Sequence, residues 1–366
     1  MLPYSTMNNK RIIGFDVARA LAIFGMVVVN FKIAMDAKTG SQSLIWFASL
    51  FEGRASALFV VLAGVGVTFL TNKARLSNDY DAIKTVRFSL VKRALILITI
   101  GLAYTPIWEA DILHFYGFYF LIATLVFTFS NKKLLLTAAV IMLTFPLLMT
   151  VFDYSKGWDW TVFKYHGFWT FDGMVRHIFY NGFHPVFPWA AFLVIGMWLG
   201  RQDLSSIKIR KKLFITASTI WVMTETLFFG LRHYFKSATD FGVSTQDIQL
   251  LFSTSIIPPF PQYIIAASSL AVMVIIFCLQ LSDKFFHSKL IQWLYKTGQL
   301  SLTLYVAHVI LGMGFLESIN KLNHQTIEFS LLSTLVFCMV GIVFSVIWLK
   351  FYKTGPFEWI FRKLAS

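Results

Sequence analysis

The amino-acid sequence predicts an all-α polytopic integral membrane protein of about ten transmembrane helices, with both termini in the cytoplasm. Three observations predict it. Of 366 residues, 57% are hydrophobic and only 14% are charged, a balance suited to lipid rather than water. Apolar runs long enough to cross the hydrocarbon layer recur along the whole chain. The net charge of +14 comes from Lys and Arg gathered in alternate connections, which is the positive-inside pattern. The excess therefore has a membrane explanation before any nucleic-acid one, and no nucleic acid is expected as partner.

The runs fall at about 15–35, 46–71, 87–106, 111–130, 133–152, 184–200, 213–231, 261–281, 298–316 and 327–351, in a single domain over 1–366. The leader MLPYSTMNNKR is too short and polar for a signal peptide, so the first run is expected to stay as a signal-anchor. Placing the N-terminus inside puts most of the 32 basic residues in cytoplasmic segments. Cys278 and Cys338 both sit in apolar runs, which gives no disulfide framework. No sequence repeat is visible.

The first run, IIGFDVARALAIFGMVVVNFKIAM, carries Asp16 and Arg19 three residues apart near its inner end and Asn30 near its outer end. An amide at that depth seeks a partner on another helix, whereas Asp16 and Arg19 also suit a simple ion pair at the helix foot. The second, FEGRASALFVVLAGVGVTFL, brings Glu52 and Arg54 in at the outer face, and Ala63, Gly64 and Gly66 favour close helix packing. The fourth opens with DILHFYGFYF, whose Asp111 and His114 share one helical face. Two readings stand: a helix-capping aspartate beside an interfacial histidine, or an acid–imidazole pair. The sixth begins HPVFPWAAFLVIGMWLGR, with Pro185 in the first turn, Trp189 at interface level and His184 at the outer boundary. The ninth, GQLSLTLYVAHVILGMGFLE, sets Ser301, Tyr305, His308 and Gly312 on one stripe, so His308 lies deep and points into the bundle. The outer loop 153–183 is rich in Trp, Tyr and Phe. It reads as a segment lying at headgroup level or as a lid whose rings could stack on a sugar.

Asn30, Glu52, Arg54, Asp111, His114 and His184 all reach the outer half under this topology. Arg19, Arg87, Lys92, Arg93 and Arg201 gather at the cytoplasmic mouth. That polarity suits an anionic donor entering from inside and acid–base chemistry near the outside. No HxxxH or HExxH spacing occurs, and no metal is expected.

The segments FDVARALAIFGMVVVNF, GRASALFVVLAGVG, DILHFYGFYFLIA, HPVFPWAAFLVIGMWLGR, LSLTLYVAH and GPFEWIFR resemble the bacterial relatives of heparan-α-glucosaminide N-acetyltransferase and the YeiB-type membrane proteins. They run from residue 15 to residue 362, nearly the whole chain. The resemblance implies a transferase in the plasma (inner) membrane that takes acetyl or another acyl group from cytosolic acyl-CoA. The acceptor that the resemblance implies is an extracytoplasmic glycan or lipid-linked group. Arg19, ten intervening residues and Asn30 match the spacing of the heparan enzyme's branch. That enzyme's catalytic histidine falls between the first two spans, and here the connection DAKTGSQSL has none. His114 is the first substitute, oriented by Asp111, with His308 and His184 following, and Asn30 is a further expected catalytic residue. Arg19, Lys92, Arg93 and Arg201 are the expected donor-binding residues, and Glu52, Arg54, His184 and Tyr305 the expected acceptor-binding ones. The expected partners are the bilayer, acyl-CoA and the acceptor, with a homodimer as the assembly to test. The alternative function is a transporter or exporter of a small anionic or amphipathic metabolite.

Overall fold

The computed structural model describes residues 12–77, 79–237 and 244–365; Lys10 and Arg11, assigned above to the cytoplasmic leader, lie outside them. The chain is mostly helical, at 76%. In order, the helices are α1 (Ile13–Ala34), α2 (Gln42–Ser49), α3 (Arg54–Ser77), α4 (Tyr80–Tyr104), α5 (Leu113–Val126) and α6 (Asn131–Met149). After a two-residue antiparallel hairpin, β1 (Trp158–Asp159) and β2 (Lys164–Tyr165), come α7 (Phe171–Arg176), α8 (Val186–Leu199), α9 (Ile207–Ser237), α10 (Thr245–Leu251) and α11 (Pro261–Lys284). The chain continues through α12 (Lys289–Gln299), α13 (Ser301–Ala307), α14 (Gly314–Ser318), α15 (Ile327–Phe351) and α16 (Pro356–Ala365). Two π-helical turns, His177–Asn181 after α7 and His308–Met313 between α13 and α14, each begin on a histidine.

Among the described residues, seven helices are long and apolar enough to cross a membrane, and eight if α7–α8 counts as one span bent by 48°. The protein is thus polytopic. The two remaining predicted runs, 87–106 and 111–130, are helical but fail that measure for different reasons. Helix α4 carries Lys84, Arg87, Lys92 and Arg93 along its length, and α5 has only 14 residues.

The helix ends follow from local chemistry. Asp79 accepts the N–H of Asp81 at 3.0 Å to start α4. The Ser130 and Thr326 hydroxyls do the same for α6 and α15, satisfying donors that a first turn leaves orphaned. The predicted second run is broken at residues 50–53, where Gly53 takes φ +69°, a conformation natural to glycine. A Cβ there would meet the Tyr263 hydroxyl at 2.6 Å.

The chain divides into two compact units, Met1–Ala48 with Val274–Glu358, and Ser49–Met273 with Trp359–Ser366. In the first, α1 packs against α12 and α15. Gly14 is held against the backbone of Leu279, whose Cα would lie 2.7 Å from a Cβ. In the second, α3 crosses α8 where Gly64 and Gly196 meet, a Cβ on Gly64 falling 2.9 Å from the Gly196 Cα. This is the close packing expected of that small-residue stretch. Helix α4 crosses α5 at Gly101, where a Cβ would meet the His114 Cα at 2.7 Å. The crossing that seats α5 therefore also seats His114.

Candidate functional site

In the second unit, α5 starts at Leu113 with no side-chain cap on its N-cap residue, Ile112. Asp111, one residue earlier, supplies the missing acceptor. Its Oδ2 receives the backbone N–H of Leu113 at 2.9 Å and of His114 at 3.4 Å. The same oxygen lies 3.2 Å from His114 Nδ1. Asp111 and His114 are both fully buried. The capping reading and the acid–imidazole reading are thus one arrangement, because the turn that brings the backbone donors to the carboxylate also folds the imidazole onto it. A carboxylate can only accept here, so Nδ1 carries the proton. The opposite nitrogen, Nε2, is buried without a hydrogen-bond partner.

Two further histidines stand around this pair. The His114 ring lies tilted against Phe115 at 4.0 Å, and Phe115 lies 5.5 Å from His177 and 5.9 Å from His184. His114 and His177 are 6.2 Å apart with nearly parallel rings. Nδ1 of His177 and Nδ1 of His184 are also buried without partners. Three imidazoles around one phenyl ring, each with an unused nitrogen, form a buried polar cluster in this unit.

The aromatic loop 153–183 supplies one wall. Phe168 packs at 6.0 Å from His114 and 4.9 Å from His177. The loop is itself tied down through Asn181, which is fully buried and donates to the carbonyls of Tyr154 and Lys156 at 2.8 and 2.9 Å. Tyr165 donates to Asn181 Oδ1 at 3.1 Å and accepts from Arg176 Nε at 2.8 Å. Burial pushes the Tyr165 phenol up from its ordinary value, against the opposing pull of Arg176. Tyr119 fixes the other side by donating to the His184 carbonyl at 2.5 Å.

In the first unit, Asn30 and His308 meet, 278 residues apart in sequence, with Asn30 Nδ2 2.8 Å from His308 Nε2. His308 Nδ1 donates to the Tyr305 carbonyl, which fixes the tautomer and leaves Nε2 to accept from the amide. Both ring nitrogens of His308 are therefore engaged, unlike those of His114. The helix carrying it is started by Glu358, from the GPFEWIFR tail, whose Oε1 accepts the N–H of Leu302 at 2.7 Å and of Thr303 at 3.1 Å. The π turn at His308 ends the i+3/i+4 register predicted from Ser301 to Gly312. Such turns recur at functional sites.

The other expected residues are placed as follows. Arg19 is paired with Asp16 at 2.6 Å, the ion-pair reading. Arg54 pairs with Glu225 of α9 at 3.3 Å, and Glu225 also accepts from Thr254 at 2.8 Å. Glu52 lies half-buried in the turn before α3. Lys92 lies over the Phe88 ring and Arg93 over the Phe361 ring. Arg201 reaches the C-terminal end of α5, donating to the carbonyls of Phe129 and Phe127 at 2.5 and 2.7 Å. Asn30, Arg19, Tyr305 and His308 belong to the first unit, and the remaining expected residues to the second.

Sequence reasoning passed over His177 and Glu225. No helical spacing points to His177, because the chain leaves the helix at Gly182 before it reaches His184, whereas Glu225 is an acid inside an apolar run, a functional signal in lipid. Among the described residues, no group of three or more His, Cys, Asp or Glu side chains could hold a metal ion.

A helical membrane protein with a buried acid–imidazole pair under an aromatic loop is the class these features define. Residues 11–235 match the family described as heparan-alpha-glucosaminide N-acetyltransferase, catalytic, and the chain belongs to that family. Residues 201–366 match a second one, described as protein of unknown function (DUF418). A relative from Bacillus subtilis (strain 168), named Uncharacterized protein YxaH, is 23% identical and is matched over 98% of this chain and 94% of its own length.

Proposed function

We propose that the protein is a membrane acyltransferase in which His114, oriented by Asp111, is the base that activates the acceptor. The observation that carries this reading is the contrast between the two candidate histidines. His114 has Nδ1 held by a carboxylate and Nε2 buried and unpaired, whereas Asn30 occupies Nε2 of His308. A general base needs an open nitrogen within reach of the proton it removes. The donor is acyl-CoA from the cytosol, and the acceptor is an extracytoplasmic glycan or lipid-linked hydroxyl or amine. The acceptor oxygen or nitrogen bonds to the acyl carbon, the carbon–sulfur bond breaks, and the proton taken by Nε2 passes to the departing thiolate. Family membership supports the donor assignment, and the basic residues Lys92, Arg93 and Arg201 of the second unit suit its phosphates. Ten spans, cytoplasmic termini, residence in the plasma membrane and a homodimeric assembly complete the proposal.

The test is incubation of membranes holding the protein with radiolabelled acetyl-CoA, with and without His114→Ala. Label on glycan or lipid in the wild type, lost in the variant, is the expected result. Label retained on the protein would indicate an acyl-imidazole intermediate. Proton- or sodium-coupled uptake of a metabolite without acyl turnover would replace this reading with transport.

A further inference from the structure

The C-terminal end of α5 draws in three cations, and a fourth, Arg75, acts on one of them. Arg201 donates to the Phe127 and Phe129 carbonyls, and to Asn131 Oδ1 at 3.3 Å. Arg87 Nε donates to the Thr124 carbonyl at 3.1 Å, with its guanidinium 5.6 Å from the centre of the Phe127 ring. Lys133 lies 5.9 Å from the centre of the Phe129 ring. Arg75 is close enough for its charge, after burial, to help push the Arg201 guanidinium down to about 10. All four belong to the second unit.

A helix C-terminus welcomes one cation, since its carbonyls carry about half a negative charge. It does not account for four. No carboxylate lies within ion-pair distance of Arg75, Arg87, Lys133 or Arg201 among the described residues, and Arg75's own bond is local, to Asn72 Oδ1 at 2.7 Å. Arg75 and Arg201 are half-buried, and the Nε of each is buried without a partner. Arginines crowded against one another and partly desolvated, with unused N–H groups, repel unless an anion enters between them. Arg87 and Lys133 are exposed, which leaves a route in from solvent. The planar fork of Arg matches phosphate oxygens bidentately.

We propose that Arg75, Arg87, Lys133 and Arg201 form a binding site for a phosphate ester at the end of α5. The site stands on this geometry and needs no acyl transfer. Two sources share the chemistry: a soluble nucleotide phosphate and the headgroup of an anionic phospholipid.

The test uses the full-length protein in phosphatidylcholine nanodiscs, titrated with adenosine 3′,5′-bisphosphate, and in a second arm with phosphatidylglycerol added to the nanodisc. Saturable binding to either probe, weakened by salt, is expected; the arm that saturates identifies the source. Arg75→Gln should weaken it about ten- to hundredfold. This variant leaves the carbonyl contacts of α5 intact, whereas Arg201→Gln also loosens that helix end. Arg87→Lys should lose less, because the charge remains. Absence of binding in both arms, or wild-type affinity in Arg75→Gln and Arg87→Gln together, overturns the site. Acyl transfer is measured on the same samples, so failure of this site and failure of the acyltransferase reading are separate results.

Discussion

Replacing Asp111 by alanine removes an oxygen that receives the backbone N–H groups of Leu113 and His114 and the ring N–H of His114. The lost cap costs about 0.5–2 kcal/mol. The imidazole N–H left buried and unpaired costs about 1–3 kcal/mol more. The expected destabilisation is about 1.5–5 kcal/mol, since Asp111 is fully buried and solvent does not replace the lost acceptor. Asp111→Asn keeps one acceptor oxygen and loses the charge. The change from a charge-assisted to a neutral hydrogen bond costs about 1–1.5 kcal/mol, or about tenfold in a rate that depends on how the ring is held. His114→Ala removes the base itself and should cost about 10²–10⁴ in transfer, while the backbone cap on Asp111 persists and the melting temperature falls less than in Asp111→Ala. The assay measures melting temperature and label transfer from acetyl-CoA in parallel for the three variants. Two orderings should emerge: Asp111→Ala lowest in stability, His114→Ala lowest in transfer. Full transfer by His114→Ala would refute the reasoning, and the base would then be sought at His308.

In the first unit, Asn30→Ala should cost about 0.6–1.7 kcal/mol, the span of interhelical hydrogen bonds in membrane proteins. A double-mutant cycle with His308→Ala should recover that amount as coupling, and strictly additive losses would count against the contact. At the α3–α8 crossing, a Cβ on Gly196 would fall 3.0 Å from the Val61 Cα, so Gly196→Val should lower the melting temperature through about 1–3 kcal/mol of overpacking. An unchanged melting temperature would show that the helices can part. Reporter fusions at Lys211 and Lys164 should read cytoplasm and exterior respectively, and a cytoplasmic signal at Lys164 would invert the proposed topology.

What the sequence determined by itself is the part that depends on neighbours along the chain. Apolar run length locates the helices, since a helix in lipid satisfies its own backbone. The three-residue spacing of Asp111 and His114 is enough to place them together, because one helical turn sets that distance. The Asp16–Arg19 pair was legible for the same reason. Tertiary structure decided the rest. Asn30 meets His308 across 278 residues, and only the packing of α1 against the helix carrying His308 could choose that partner among the polar groups of the chain. His177 comes into the histidine cluster because the aromatic loop folds back through Asn181, and nothing local in the loop specifies that return. Arg201 illustrates the difference most plainly. In sequence it is one of many basic residues at an inner helix end, and its role depends on which carbonyls and which other arginines the fold sets beside it. Charge is a property of the residue, but whether a charge is satisfied is a property of its surroundings, and those are assembled only when distant segments pack.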